Sequence, residues 1–210
     1  LDEEVLRETD FADTERIRDI LGQRRIAMEQ AFASAGHSAA MARVASYYLP
    51  AGVVREALSG VGFYRFLKEL LAHFDERAGE LTAKLADLAA RLFTDSGCTL
   101  SFGGSEEALD AYREASAPFG GVAGAPVLTV PAPEDKHEAF VVASDVTYTA
   151  CGWDRRLLGE PYGGTWLLAS RILSYDFLWT EVRVKGGAYG AGFQTTRSGS
   201  SRFYSYRDPR

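Results

Sequence analysis

Hydrophobic positions over the first ninety-odd residues recur every three or four places, the spacing of one helical face. Ile17, Ile20, Leu21, Met28, Ala31 and Phe32 make such a stripe, with Asp13 or Thr14 ahead of it as cap and Gly36 as its expected end. A second helix is predicted over 38–48 and is stopped by Pro50. Residues 53–58 predict a short helix closed near Gly60. Phe63, Phe66, Leu67, Leu70, Leu71 and Phe74 then share one side of a longer helix. Leu81, Leu85, Leu88 and Leu92 define the next, ending near Phe93. Nothing in this part alternates with the period of a strand.

The pattern changes after Asp95-Ser96-Gly97. Residues 98–102 predict a strand, and Gly103-Gly104 turns it into a helix capped by Ser105, with Glu106 and Glu107 in its first turn. Pro, Gly and Ala crowd residues 117–136, which predicts an exposed connection. Apolar, β-branched residues over 139–148 predict a strand running on towards Trp153. Residues 162–184 predict a long helix with Leu167, Leu168, Ile172, Leu173 and Phe177 on its buried side. Residues 188–196 and 202–206 predict a hairpin across Ser198-Gly199-Ser200. The sum is an α+β chain: a helical segment over 1–95, then a mixed α/β sandwich over 96–210 with a largely antiparallel sheet. No helix follows the last strand, so the second domain is expected to be cut short.

Composition narrows the partners. A net charge of −6, with both signs mixed along 210 residues, lacks the basic face of a nucleic-acid binder. No apolar run reaches the roughly 18 residues that cross a bilayer, and no signal peptide is visible. The sequence starts at Leu1 rather than Met, which leaves room for a removed targeting segment. Cys98 and Cys151 are the only cysteines; buried free thiols are expected, with a disulfide as the alternative.

The densest candidate chemistry is at the junction of the last helix and the hairpin. Glu181 and Arg183 stand at the helix end, Gly186-Gly187 closes it, and Tyr189 opens the strand. A glycine pair lets another chain approach closely, and Arg183 and Tyr189 can donate hydrogen bonds into that gap. A bound peptide's carbonyls, or the oxyanion of its hydrolysis, require such donors. The plainer reading has Arg183 and Lys185 satisfying the helix's last carbonyls, Gly187 ending it and Tyr189 serving as a sheet aromatic. The three histidines assemble no metal site. His73-Phe74-Asp75-Glu76-Arg77 carries Arg where a second ligand would be needed, while His37 and His137 are expected to be solvated.

The run LWTEVRVKGGAYGAGF, followed by FYSYRDPR, resembles the presequence-protease branch of the insulinase (pitrilysin) family of metallopeptidases. That branch has an Arg and a Tyr six residues apart around a glycine pair, which fall here on Arg183 and Tyr189. FVVASDVTYTACG and LPAGVVREALSGVGFYRFLKEL resemble its preceding strand and its third-domain helices more loosely. The resemblance implies the C-terminal half of a zinc metalloendopeptidase, built of two halves that close on an unstructured peptide. It implies that zinc is held by His-x-x-Glu-His in an N-terminal half outside this sequence, so that this chain binds no metal and is inactive alone. Arg183, Gly186, Gly187 and Tyr189 are then the substrate-binding residues, Arg183 and Tyr189 also acting in catalysis. The alternative is a non-catalytic subunit or peptide-binding module that partners a separate zinc-bearing chain. A cytoplasmic location is favoured, with no membrane partner.

Overall fold

The computed structural model of the chain describes residues 4, 6, 8–94, 96, 99, 101–116 and 129–209. Helices come first: α1 (Thr14–Ser34), α2 (Gly36–Ala45), α3 (Pro50–Ser59), α4 (Val61–Ala72), α5 (Phe74–Leu92) and α6 (Glu106–Ala115). Then follow β1 (Thr147–Asp154), a 3-10 turn (Arg155–Leu158), α7 (Gly164–Ile172), a π-helix (Leu173–Lys185), β2 (Gly190–Thr195) and β3 (Ser200–Asp208). The fold is α+β, as the sequence predicts. Pro50 both ends the second helical stretch and starts the third, because at the first turn its missing N–H costs nothing.

The chain forms two compact units, Leu1–Ile20 with Ala72–Leu128, and Leu21–Leu71 with Thr129–Arg210. In the first, Phe74 at the start of α5 is almost fully buried. The Arg18 guanidinium lies 4.6 Å from its ring and pairs with Asp75. Ser105 caps α6 by accepting from the Ala108 N–H at 3.2 Å. Of the strand expected over 98–102, Cys98 and Leu100 fall outside the described residues, and Thr99, Ser101 and Phe102 pair with no strand among the described residues.

The second unit holds a three-stranded antiparallel sheet in the order β1-β3-β2. Trp153, Phe193 and Phe203, one from each strand, pack with ring centroids 4.6 to 5.8 Å apart. The first strand begins at Thr147, not at 139. The residues ahead of it meet Arg43 instead: Phe140 lies 5.9 Å from its guanidinium, and Glu138 accepts from the Arg43 Nε and Nη2 at 2.7 and 2.9 Å and from the Tyr47 hydroxyl at 2.6 Å. Arg43 also reaches Glu56 at 3.0 Å, so one guanidinium ties α2, α3 and the approach to β1 together.

Two further expectations are corrected. Cys151 is a free thiol but an exposed one, because β1 is an edge strand whose alternate residues face outward. Leu167, Leu168, Ile172 and Phe177 are each more than half exposed. The partly buried positions are Trp166, Ala169, Ser170, Leu173, Ser174, Leu178, Val182 and Arg183, so of the five residues expected inside only Leu173 is partly covered, and the helix lies on β2. The covered face mixes the small Ala169, Ser170 and Ser174 with Leu173, Leu178 and Val182, against a strand that opens Gly-Ala-Gly, while Leu167, Leu168, Ile172 and Phe177 are left outward.

Candidate functional site

The single helix expected over 162–184 is two helices in series. From Leu173 the winding widens to i→i+5 bonding, as in the Gly186 N–H to Glu181 carbonyl bond of 3.1 Å. The termination widens with it. Gly187, at φ +78°, donates to the Arg183 carbonyl at 3.0 Å, and Ala188 donates to Val182 at 3.2 Å. A helix-ending glycine normally makes these two bonds one residue shorter. The left-handed residue turns the chain sharply, and Ala188 is buried while Tyr189 is not.

Tyr189 is therefore presented beside the helix end that carries Arg183. The Arg183 guanidinium stacks on Trp179, 3.8 Å from the ring centroid, and lies 5.8 Å from the Tyr189 ring. Stacking of this kind holds a long side chain in one place and is worth about 1 kcal/mol when exposed. Trp179, Arg183 and Val184 of the π-helix, the link Gly187 to Tyr189, and Arg207 of β3 enclose an open pocket of about 550 Å³. Of the predicted site residues, Arg183, Gly187 and Tyr189 line it. Gly186 does not line it, and a Cβ added there would lie 2.6 Å from the Val182 carbonyl oxygen.

Arg207 is a site residue that the sequence pattern does not single out. Thr147 pairs with Asp208 and Tyr148 with Tyr206, so Arg207 is an extra residue on β3, a bulge. It is the only non-glycine residue at positive φ among those described, at +53°. The bulge brings its guanidinium to 5.6 Å from the Tyr189 ring. The Tyr189 N–H points at the Tyr206 and Arg207 carbonyls, at 3.2 and 3.4 Å. Among the described residues, neither Arg183 nor Arg207 has a carboxylate within 4 Å; Glu181 is taken by Lys185 at 2.7 Å. Strict strand alternation hides such a residue, though three aromatics running into Arg-Asp-Pro are a signal that the strand is ending.

The histidines take unlike places. His37, expected in solvent, is partly buried and stacks on Tyr206 at 4.8 Å, near Tyr148 and Tyr204. Burial lowers its pKa from the ordinary value. His73 is exposed, with Nδ1 3.7 Å from Glu76, and His137 is exposed. No three His, Cys, Asp or Glu among the described residues gather as a metal would require, so these residues do not fit a zinc ion. No helix among them is long and apolar enough to cross a membrane.

A family model of a peptidase-associated region matches residues 1–70, and the model "PreP C-terminal domain" matches 137–210. Protein HypA of Clostridium perfringens is 30% identical over 99% of this chain and 22% of its own length. Presequence protease 1, chloroplastic/mitochondrial, of Arabidopsis thaliana is 28% identical over 98% of the chain and 20% of its own. The chain belongs to the presequence-protease family. It corresponds to the C-terminal part of those peptidases and spans about a fifth of the length of these relatives. In the mitochondrial presequence protease of Mus musculus, identity rises to 46% over 50 residues.

Proposed function

We propose that this chain is the substrate-holding part of a zinc metalloendopeptidase that cuts unstructured peptides. The observation that carries the reading is the convergence of Arg183 and Tyr189 on one open pocket, with no carboxylate competing for the Arg183 guanidinium among the described residues. An extended peptide crossing this pocket presents carbonyl oxygens, and the guanidinium and phenol donate to them. As one carbonyl becomes a tetrahedral oxyanion, the same donors strengthen, which favours the transition state over the bound peptide. Trp179 keeps the guanidinium oriented before substrate arrives.

The zinc ion and the residue that activates water belong, in this reading, to an N-terminal part of the same protein. The outward apolar face of Leu167, Leu168, Ile172 and Phe177 is a surface that such a part would cover. By itself the present chain is then a grip without a cutting centre.

The test uses the full-length protein and a fluorogenic unstructured peptide. Arg183→Ala should lower chelator-sensitive kcat by about a hundredfold or more, the scale of losing one oxyanion donor. Tyr189→Phe keeps the ring beside Arg183 and removes only the hydroxyl, so it isolates the second donor. Unchanged turnover in both variants would sink the reading. Activity appearing only on mixing with a separately encoded zinc-bearing chain would make this a subunit rather than a half.

A further inference from the structure

Resting on that reading of the pocket, we propose that Arg207 is a further substrate-binding residue, and that it makes the pocket a subsite for a carboxylate of the bound peptide. Three observations lead there. The bulge in β3 places Arg207 out of the strand pairing, in a left-handed conformation that an Arg adopts only where the surrounding structure holds it. Two contacts hold it: the Ser205 hydroxyl donates to Asp208 at 2.6 Å on one side of the bulge, and the Tyr189 N–H is shared between the Tyr206 and Arg207 carbonyls on the other. The residue so held carries its guanidinium to the Tyr189 ring, which Arg183 also approaches.

The charge follows from the placement. Two guanidinium groups lie within 6 Å of one aromatic ring, at 5.8 and 5.6 Å, and both line the pocket, so each adds positive charge to its wall. Asp208 is the nearest acid in sequence, and its Oδ2 is held by Ser205. Among the described residues its Oδ1 is buried without a partner, and Asp208 does not line the pocket. The acid next to Arg183, Glu181, is committed to Lys185. A carboxylate entering the pocket is attracted by both charges and can take paired hydrogen bonds from either planar guanidinium, a geometry that Lys does not offer. The pocket is walled by Trp179, Val184 and Tyr189, so the ion pair forms against apolar surface, where it is stronger than in open water.

Such a carboxylate has two sources in a peptide, an Asp or Glu side chain or the free C-terminus, and they can be told apart. Three labelled peptides of one unstructured sequence would be titrated into the full-length protein by fluorescence anisotropy: one with an internal Glu and an amidated end, one with a free C-terminus and no acid, one with neither. Arg207→Gly removes the cation but suits the left-handed backbone, so the bulge survives; Arg207→Lys keeps charge and loses the planar fork. We expect Arg207→Gly to weaken binding of a carboxylate peptide about tenfold more than binding of the neutral one, with Arg207→Lys in between and the difference shrinking with added salt. Loss confined to the Glu peptide assigns a side-chain subsite; loss confined to the free-end peptide assigns the C-terminus. Equal weakening of all three peptides, or none, overturns the proposal. That outcome leaves the donor role of Arg183 and Tyr189 intact if their variants still lower turnover of the neutral peptide; if they do not, the pocket itself has been misassigned.

Discussion

Gly187 and Tyr189 show what the sequence could and could not disclose about single residues. The glycine pair flanked by Arg and Tyr is visible as a string, and one part of the helix-end reading is observed: Gly187 ends the helix at φ +78°. Ending the helix there also sets Tyr189 beside Arg183. A Cβ at Gly187 would meet only Pro209, at an ordinary 3.5 Å, so the penalty for Gly187→Ala is the backbone angle alone. That is about 1 kcal/mol. Amide hydrogen exchange at Ala188 and Tyr189 should speed up about fivefold, and kcat should fall with it because the tyrosine is no longer fixed. A variant with faster exchange and undiminished turnover would separate helix ending from function. Arg207 stayed hidden for a different reason. Its position depends on a one-residue slip between β1 and β3, which is a property of two strands together.

At the level of elements, helices with one apolar face were legible and windings were not. The apolar spacing of residues 162–184 is helical, but it cannot distinguish i→i+4 from i→i+5 bonding, nor say which side meets the sheet. What decides the side is fit. Gly190 and Gly192 lie opposite Tyr206 and Tyr204, whose rings fill the space of the absent side chains: a Cβ at either glycine would lie 2.5 to 3.0 Å from ring atoms. Small helix residues then settle against β2. Ser174 completes the contact, its hydroxyl accepting from the Phe193 N–H at 3.0 Å and facing the Phe193 carbonyl at 3.3 Å. Ser174→Ala leaves that N–H without its partner, at a cost of about 1–3 kcal/mol. Hydrogen-exchange mass spectrometry should show lost protection concentrated in β2; protection unchanged there would mean that the contact is incidental. Gly190→Ala pushes directly on the Tyr206 ring, which lies 5.7 Å from Tyr189, and should lower activity without touching the pocket.

On the scale of the whole molecule, two partly buried groups give stability an acid dependence in separate windows. Hydrogen bonds from Arg43 hold Glu138 ionised and bring its pKa from 4.5 to about 2. The folded chain therefore releases this proton more readily than the unfolded one. Its contribution is complete above about pH 4.5 and is lost as pH falls through about 2. Glu138→Gln should flatten that limb. His37 is a base whose pKa is lowered by burial, so the folded state favours its neutral ring. Stability from this source is complete above the ordinary value of 6.5 and declines as pH falls below it. His37→Phe keeps a ring on Tyr206 and should remove the upper decline. Segment-resolved urea midpoints at pH 7.5, 5.5 and 3 would check both, and coincident loss in one window would contradict the assignment. The bond from Ser174 to β2 has a consequence for how the chain is made. β2 is an edge strand, and an edge with free amides can recruit a strand from another molecule. Ser174 precedes β2 in sequence, so it leaves the ribosome first. The group that stoppers the centre of this edge is thus already present when the edge forms, and the hairpin has less opportunity to pair with a neighbouring nascent chain.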